Sequence, residues 1–149
     1  MGNPRLTTDE RDAYIDRIRH LPGKLESRVT GLTDAQLHTH FLEGEWTVAQ
    51  NVHHLFDSHV NSVIRLKRIL TEDNPVLWSY DQDAFAKLSD YNLSIQQSLT
   101  LLYQLHARWV HLFASLDEPQ WVRVGTLEAS GKQITPEDLV KLVHGRFSA

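Results

Sequence analysis

Between Glu45 and Leu70 the chain reads EWTVAQNVHHLFDSHVNSVIRLKRIL, with no proline or glycine after Trp46 to interrupt it. Thr47 and Gln50 stand at the spacing of a capping box, which opens a helix by satisfying free N–H groups at both ends of a reciprocal pair. Val48, Val52, Leu55, Phe56, Val60, Val63, Leu66 and Leu70 then recur with a helical period. One face of this long helix is therefore core, and His59 falls inside it. A second stripe, His54, Asp57, Ser58, Asn61, Arg65 and Arg68, runs along the helix at i, i+3/i+4 spacing. Such a stripe is ordinarily a solvated face, but His53, His54 and His59 place three imidazoles within seven residues. Phase alone nominates His59 as the inward histidine, a core residue bonded to a backbone carbonyl, and sets His54 well away from the centre of the apolar face.

The remaining chain supplies partners of the same kind. Thr7 and Glu10 repeat the capping-box spacing ahead of Tyr14, Ile15, Ile18, Leu21, Leu25, Val29 and Leu32, with Pro22 inside the pattern expected to kink or split the helix. Thr33 and Asp34 can cap a short turn, and His38 and His40 fall in the loop that follows, where exposure is expected. After Leu70, Asn74-Pro75 signals a turn. Asp81 to Leu88 suits a short covering helix, anchored by Trp78, Tyr80 and Phe85 or with one of these lining a pocket. Ser94 and Gln97 open a third long helix through Ile95, Leu99, Leu102, Leu105, Trp109, Leu112 and Leu116. His106 and His111 lie beside that stripe and read as surface residues. Trp121 is expected to pack. Val122 to Leu127 and Lys132 to Ile134 can pair as a hairpin. Thr135-Pro136-Glu137-Asp138 starts a last helix. The pattern predicts an all-α, up-and-down four-helix bundle with long crossovers, a single domain over residues 1–149.

Composition narrows the chemistry. The chain has 149 residues, no cysteine, nine histidines and a formal charge of −4 with both signs interspersed. No disulfide framework, cysteine-ligated metal or cysteine nucleophile is available, so any thiol must come from outside. Nothing in the charge pattern forms a footprint for nucleic acid. The stretch MGNPRLTTDERD has no apolar core of a leader, and no apolar run reaches membrane-spanning length. A cytoplasmic protein is expected.

The run from Trp46 through Thr47 and His54, and the fuller string HHLFDSHVNSVIRLK, resembles the first metal-ligand helix of the DinB-like superfamily and, within it, the YfiT-type branch. That branch is described as metal-dependent hydrolases and as bacillithiol S-transferases. The resemblance implies a DinB/YfiT-like bundle and a divalent cation, zinc or nickel, held by His54 and two histidines of the last helix. It matches His144-Gly145-Arg146, making His144 the second ligand. Phe147 and Ser148 depart from the pattern, with Ser148 where the third ligand belongs, and Gly44-Glu45 departs from the usual glycine pair before the tryptophan. The last helix reads as shortened. A cleft opening along the polar stripe would bring Asp57, Asn61 and Arg65 beside His54 as catalytic residues.

Three functions remain open. The first is an S-transferase in which the cation activates a small-molecule thiol for attack on an electrophile. The second is a hydrolase using metal-activated water on a small molecule. The third is a non-catalytic bundle with a defective site. Ile64 and Ile69, apolar outside the main stripe, further suggest a homodimer.

Overall fold

The computed structural model describes residues 5–40 and 44–142. Four helices carry it, and each starts where side chains satisfy the unpaired N–H groups of a first turn. Helix α1 (Thr8–Val29) opens on the Thr7–Glu10 capping box. A short α2 (Asp34–His38) follows, with its own box between Thr33 and Gln36. Helix α3 (Val48–Thr71) opens on the Thr47–Gln50 box. Strand β1 (Val76–Leu77), the one-turn helix α4 (Gln82–Phe85) and a 3-10 turn (Ser89–Asn92) lead to α5 (Ile95–Ala114). There the Ser94 hydroxyl accepts from the Gln96 N–H, in place of the box expected with Gln97. The short α6 (Glu118–Trp121), strands β2 (Gly125–Leu127) and β3 (Gln133–Ile134), and α7 (Pro136–Leu142) complete the described chain. Thr135 and Asp138 cap α7 reciprocally.

The principal packing joins α1 to α5 and α7, and α3 to the same two helices. Around the four-helix bundle the order is therefore α1, α5, α3, α7, and the helices opening at Thr47 and Thr135 are neighbours. The expected hairpin forms as β2 and β3, antiparallel, with Gly125 opposite Ile134. A third strand was not expected: β1 pairs with β2 in parallel, so the small sheet laces the α3–α5 crossover to the α5–α7 crossover. Gly125 makes this possible. A Cβ there would sit 2.8 Å from Leu77 Cδ1 and 2.9 Å from Ile69 Cγ1. Arg123 closes the other side of the joint, donating to the Ile69 and Glu72 carbonyls at the open end of α3.

Several expectations are corrected by this packing. Helix α1 is not split at Pro22 but runs through it. Ile69 lies in the core, fully buried, while Ile64 is half exposed. Trp78 and Phe85 are not core anchors: Trp78 is 64% exposed and Phe85 is 39% exposed. In β1 the inward position belongs to Leu77, and strand alternation turns Val76 and Trp78 outward. His38 ends α2 instead of lying in a loop, and is exposed, as is His40. His106, read as a surface residue, is 1% exposed, whereas His111 is exposed as expected.

One charged cluster fastens α7. Arg11 and Glu137 are both buried and pair at 2.9 Å, and Arg11 also grips Glu118 through two guanidinium nitrogens at 2.6 and 2.9 Å. Arg5 reaches both carboxylates, and the Leu6 N–H donates to Glu137. The Arg11 guanidinium lies 4.9 Å from the Trp121 ring centre. Trp121 stacks on Phe113 at 5.7 Å and 8°.

Candidate metal centre and adjoining cleft

Both histidines over which phase and resemblance disagreed are buried: His54 is 7% exposed and His59 is 5% exposed. An apolar stripe wide enough to meet both α5 and α7 leaves α3 little free surface, so its polar residues line interior seams. His54 packs edge-on against Trp46, ring centres 4.8 Å apart, just past the loop that opens the helix. The tryptophan thus fixes one edge of the imidazole.

The neighbouring polar groups are largely committed. Asp57 accepts the Tyr91 hydroxyl at 2.7 Å, and burial followed by that bond raises the Tyr91 pKa, keeping the phenol protonated. His53 Nε2 donates to the Leu93 carbonyl at 2.9 Å, so its Nδ1 accepts the Ser98 hydroxyl at 2.6 Å. His53 therefore ties α3 to the start of α5 and is not an idle donor for a cation.

Asn61 and Arg65 do face a cleft, of about 260 Å3, together with Ser58, His59, Ser62 and Tyr80. The half-buried Arg65 donates through Nη2 to the Trp78 carbonyl at 2.7 Å. Its Nε is buried without a hydrogen-bond partner, and no carboxylate pairs with it among the described residues. Burial lowers the Arg65 pKa and raises that of Tyr80. Tyr80 is thus the one of three crossover aromatics that takes the pocket-lining place.

His59 and His106 are the part of this region that sequence reading missed in large measure. His59 Nδ1 lies 2.7 Å from His106 Nε2, and His106 Nδ1 lies 2.6 Å from the Ile18 carbonyl oxygen. Burial pushes His59 well below its ordinary pKa, and burial lowers His106 as well. His59 is buried as expected but does not bond a backbone carbonyl: its partner is His106, which makes the carbonyl contact instead. A usable signal existed: Leu99, Leu102, His106, Trp109 and Phe113 follow one another at helical spacing.

Of the sequence-nominated residues, the structure brings Asn61 and Arg65 together in the cleft, with Asp57 one turn away and held by Tyr91. His144 and Ser148 lie outside the described residues. Among the described residues no three His, Asp or Glu side chains converge as a metal-binding group. Imidazole suits a borderline-soft cation, so the buried His54 is of the right donor type for one ligand.

The DinB superfamily model matches residues 17–145. A protein of Oceanobacillus iheyensis named "Putative metal-dependent hydrolase" is 44% identical over 118 residues, covering 79% of this chain and 69% of that protein. YfiT of Bacillus subtilis, with the same descriptive name, is 41% identical over 119 residues, covering 79% and 67%. The chain thus spans about two thirds of the length of these relatives. The solved structure of Bacillus subtilis YfiT, described as a probable metal-dependent hydrolase with an unusual four-helix bundle topology, superposes with a TM-score of 0.91 at 37% identity, covering 96% of this chain and 82% of that one. No helix among the described residues is long and apolar enough to cross a membrane. By its capped central helix, its bundle and these matches, the chain belongs to the DinB superfamily.

Proposed function

We propose that this chain is a metal-dependent hydrolase of a small molecule, with His54 and His144 as protein ligands of a divalent cation, zinc or nickel. The supporting observation is the burial of His54 against Trp46, in a chain 41–44% identical to proteins named metal-dependent hydrolases. A cation bound there supplies Lewis acidity and draws a coordinated water, or a thiol, towards ionisation near neutral pH.

The chain's own residues then have distinct tasks. Asp57, fixed by the Tyr91 hydroxyl, keeps one oxygen for a proton or a polar group of the substrate. Asn61 orients the substrate from the same helix. Arg65, at the cleft wall with no carboxylate partner among the described residues, stabilises negative charge that develops on the substrate. The cleft of about 260 Å3, lined by Asn61 and Arg65, suits a small molecule. The proposal includes a cytoplasmic location, and a homodimer formed over the half-exposed Ile64.

A small-molecule S-transferase uses the same residues, with a thiol in place of water. Assays of zinc- and nickel-loaded protein on p-nitrophenyl esters, and on chlorodinitrobenzene with a small thiol, separate the two. Chelator-sensitive ester hydrolysis that disappears in His54→Ala supports the hydrolase. Chelator-sensitive thiol addition without hydrolysis moves the assignment to the transferase. Absence of metal binding and of both activities assigns a non-catalytic bundle, as Ser148 at the expected third-ligand position would favour.

A further inference from the structure

A proline within a helix removes the N–H that would bond to the carbonyl four residues earlier. In α1 the proline is Pro22, and the carbonyl it frees is that of Ile18. This is the group that His106 contacts at 2.6 Å. A carbonyl can only accept, so His106 carries its proton on Nδ1. Neutral in its buried position, His106 then offers Nε2 as an acceptor, and His59 must donate to it from Nδ1. His59, neutral as well, is left with a bare Nε2. Three helices thus fix one tautomer of a histidine that lines the cleft.

Facing the same cleft is Arg65, whose buried Nε has no hydrogen-bond partner and whose charge meets no carboxylate among the described residues. A half-buried guanidinium that faces no carboxylate keeps water in that place, and an anion can take it. Among the described residues the cleft therefore combines a guanidinium that faces no carboxylate with an imidazole able only to accept. The cleft, of about 260 Å3, suits a small molecule.

We infer that this cleft binds a small organic acid carrying a hydroxyl or thiol, its carboxylate against the Arg65 guanidinium and its hydrogen-bond donor on His59 Nε2. The inference rests on the proposed function in taking this cleft as the substrate side of the site, but the binding step needs no cation. The Pro22–Ile18–His106 chain selects for the donor, because an imidazole held with Nε2 bare rejects a group that can only accept.

The test is an NMR titration of chelator-treated full-length protein with glycolate, mercaptoacetate, acetate and ethanol, following the histidine ring nitrogens and the Arg65 Nε resonance. The free protein should show His59 neutral with its proton on Nδ1. Glycolate or mercaptoacetate should shift His59 Nε2 and Arg65 together, binding roughly fivefold tighter than acetate, with ethanol weaker still. Arg65→Met should weaken glycolate at least about tenfold. Pro22→Ala, a mild helix-compatible change that returns a competing N–H to Ile18, should shrink the glycolate preference over acetate while the fold persists. Acid binding by the chelator-treated protein, with no zinc binding on re-addition of the metal, would overturn the metal site alone, so the two proposals fail separately. The inference is overturned if His59 carries its proton on Nε2, if acetate binds as well as glycolate, if Arg65→Met binds like the unmodified chain, if none of the acids binds at tens of millimolar, or if binding requires added zinc.

Discussion

Removing the Glu137 carboxylate tests how the helix leading to His144 is held. Glu137 and Arg11 are 6% and 5% exposed and 2.9 Å apart, and Glu137 also accepts from Arg5 and from the Leu6 N–H. Taking one partner from a buried pair costs about 3–5 kcal/mol, because the other charge stays buried. Arg11 in Glu137→Ala keeps Glu118, and the Arg5 side chain is half exposed, so the lower end applies, about 3 kcal/mol. For a chain of this size each kcal/mol moves the melting temperature by about 2–4 °C, giving a fall of roughly 6–12 °C. Urea and thermal unfolding of Glu137→Ala, Arg11→Leu and the double variant measure it. The double variant should be markedly more stable than the sum of the single losses implies, since it leaves no stranded charge. A loss below about 1 kcal/mol in Glu137→Ala, or strict additivity, would refute this account of how α7 is fastened.

Two further outcomes follow from local geometry. Gly125→Ala places a methyl 2.8 Å from Leu77 Cδ1 and 2.9 Å from Ile69 Cγ1; this overpacking should cost about 1–3 kcal/mol in urea unfolding, and a neutral effect would mean the β1–β2 joint is loose. Glu118, held at a pKa of about 2 chiefly by its hydrogen bond from Arg11 against an ordinary 4.5, contributes stability that is complete above about pH 4.5 and lost as pH falls towards 2. Glu118→Gln should flatten that part of the stability–pH curve, and an unchanged acid limb would contradict the assignment.

Helix positions were legible because caps and period are local. Thr7–Glu10 and Thr47–Gln50 form the boxes their spacing predicts, and the principal stripe residues Val52, Val63 and Leu66 are buried. What spacing could not supply is which neighbour each face meets. His106 looked peripheral when Leu105, Leu112 and Leu116 were taken as its stripe; the true buried line passes through His106 to Phe113. Ile69 similarly became core once the sheet closed over the end of α3. Trp78 and Phe85 misled because hydrophobicity without a period does not fix direction: in β1, alternation gave Leu77 the inward place. Pro22 was legible as a helix defect, but its consequence, a free Ile18 carbonyl, required α5 to be in position. His54 came from resemblance and not from phase, and its burial follows from the seam between α3 and its neighbours.

Calorimetric titration of the purified chain with zinc, alongside His54→Ala and Ser148→His, tests the proposed metal site most directly. With an imidazole absent at the expected third position, the unmodified chain should bind zinc weakly and His54→Ala not at all. Loss of even an indirect support commonly costs about 10–100-fold in affinity, so restoring a ligand in Ser148→His should tighten binding by at least about tenfold. Tight, stoichiometric binding by the unmodified chain that persists in His54→Ala would contradict the assignment of His54 as a ligand.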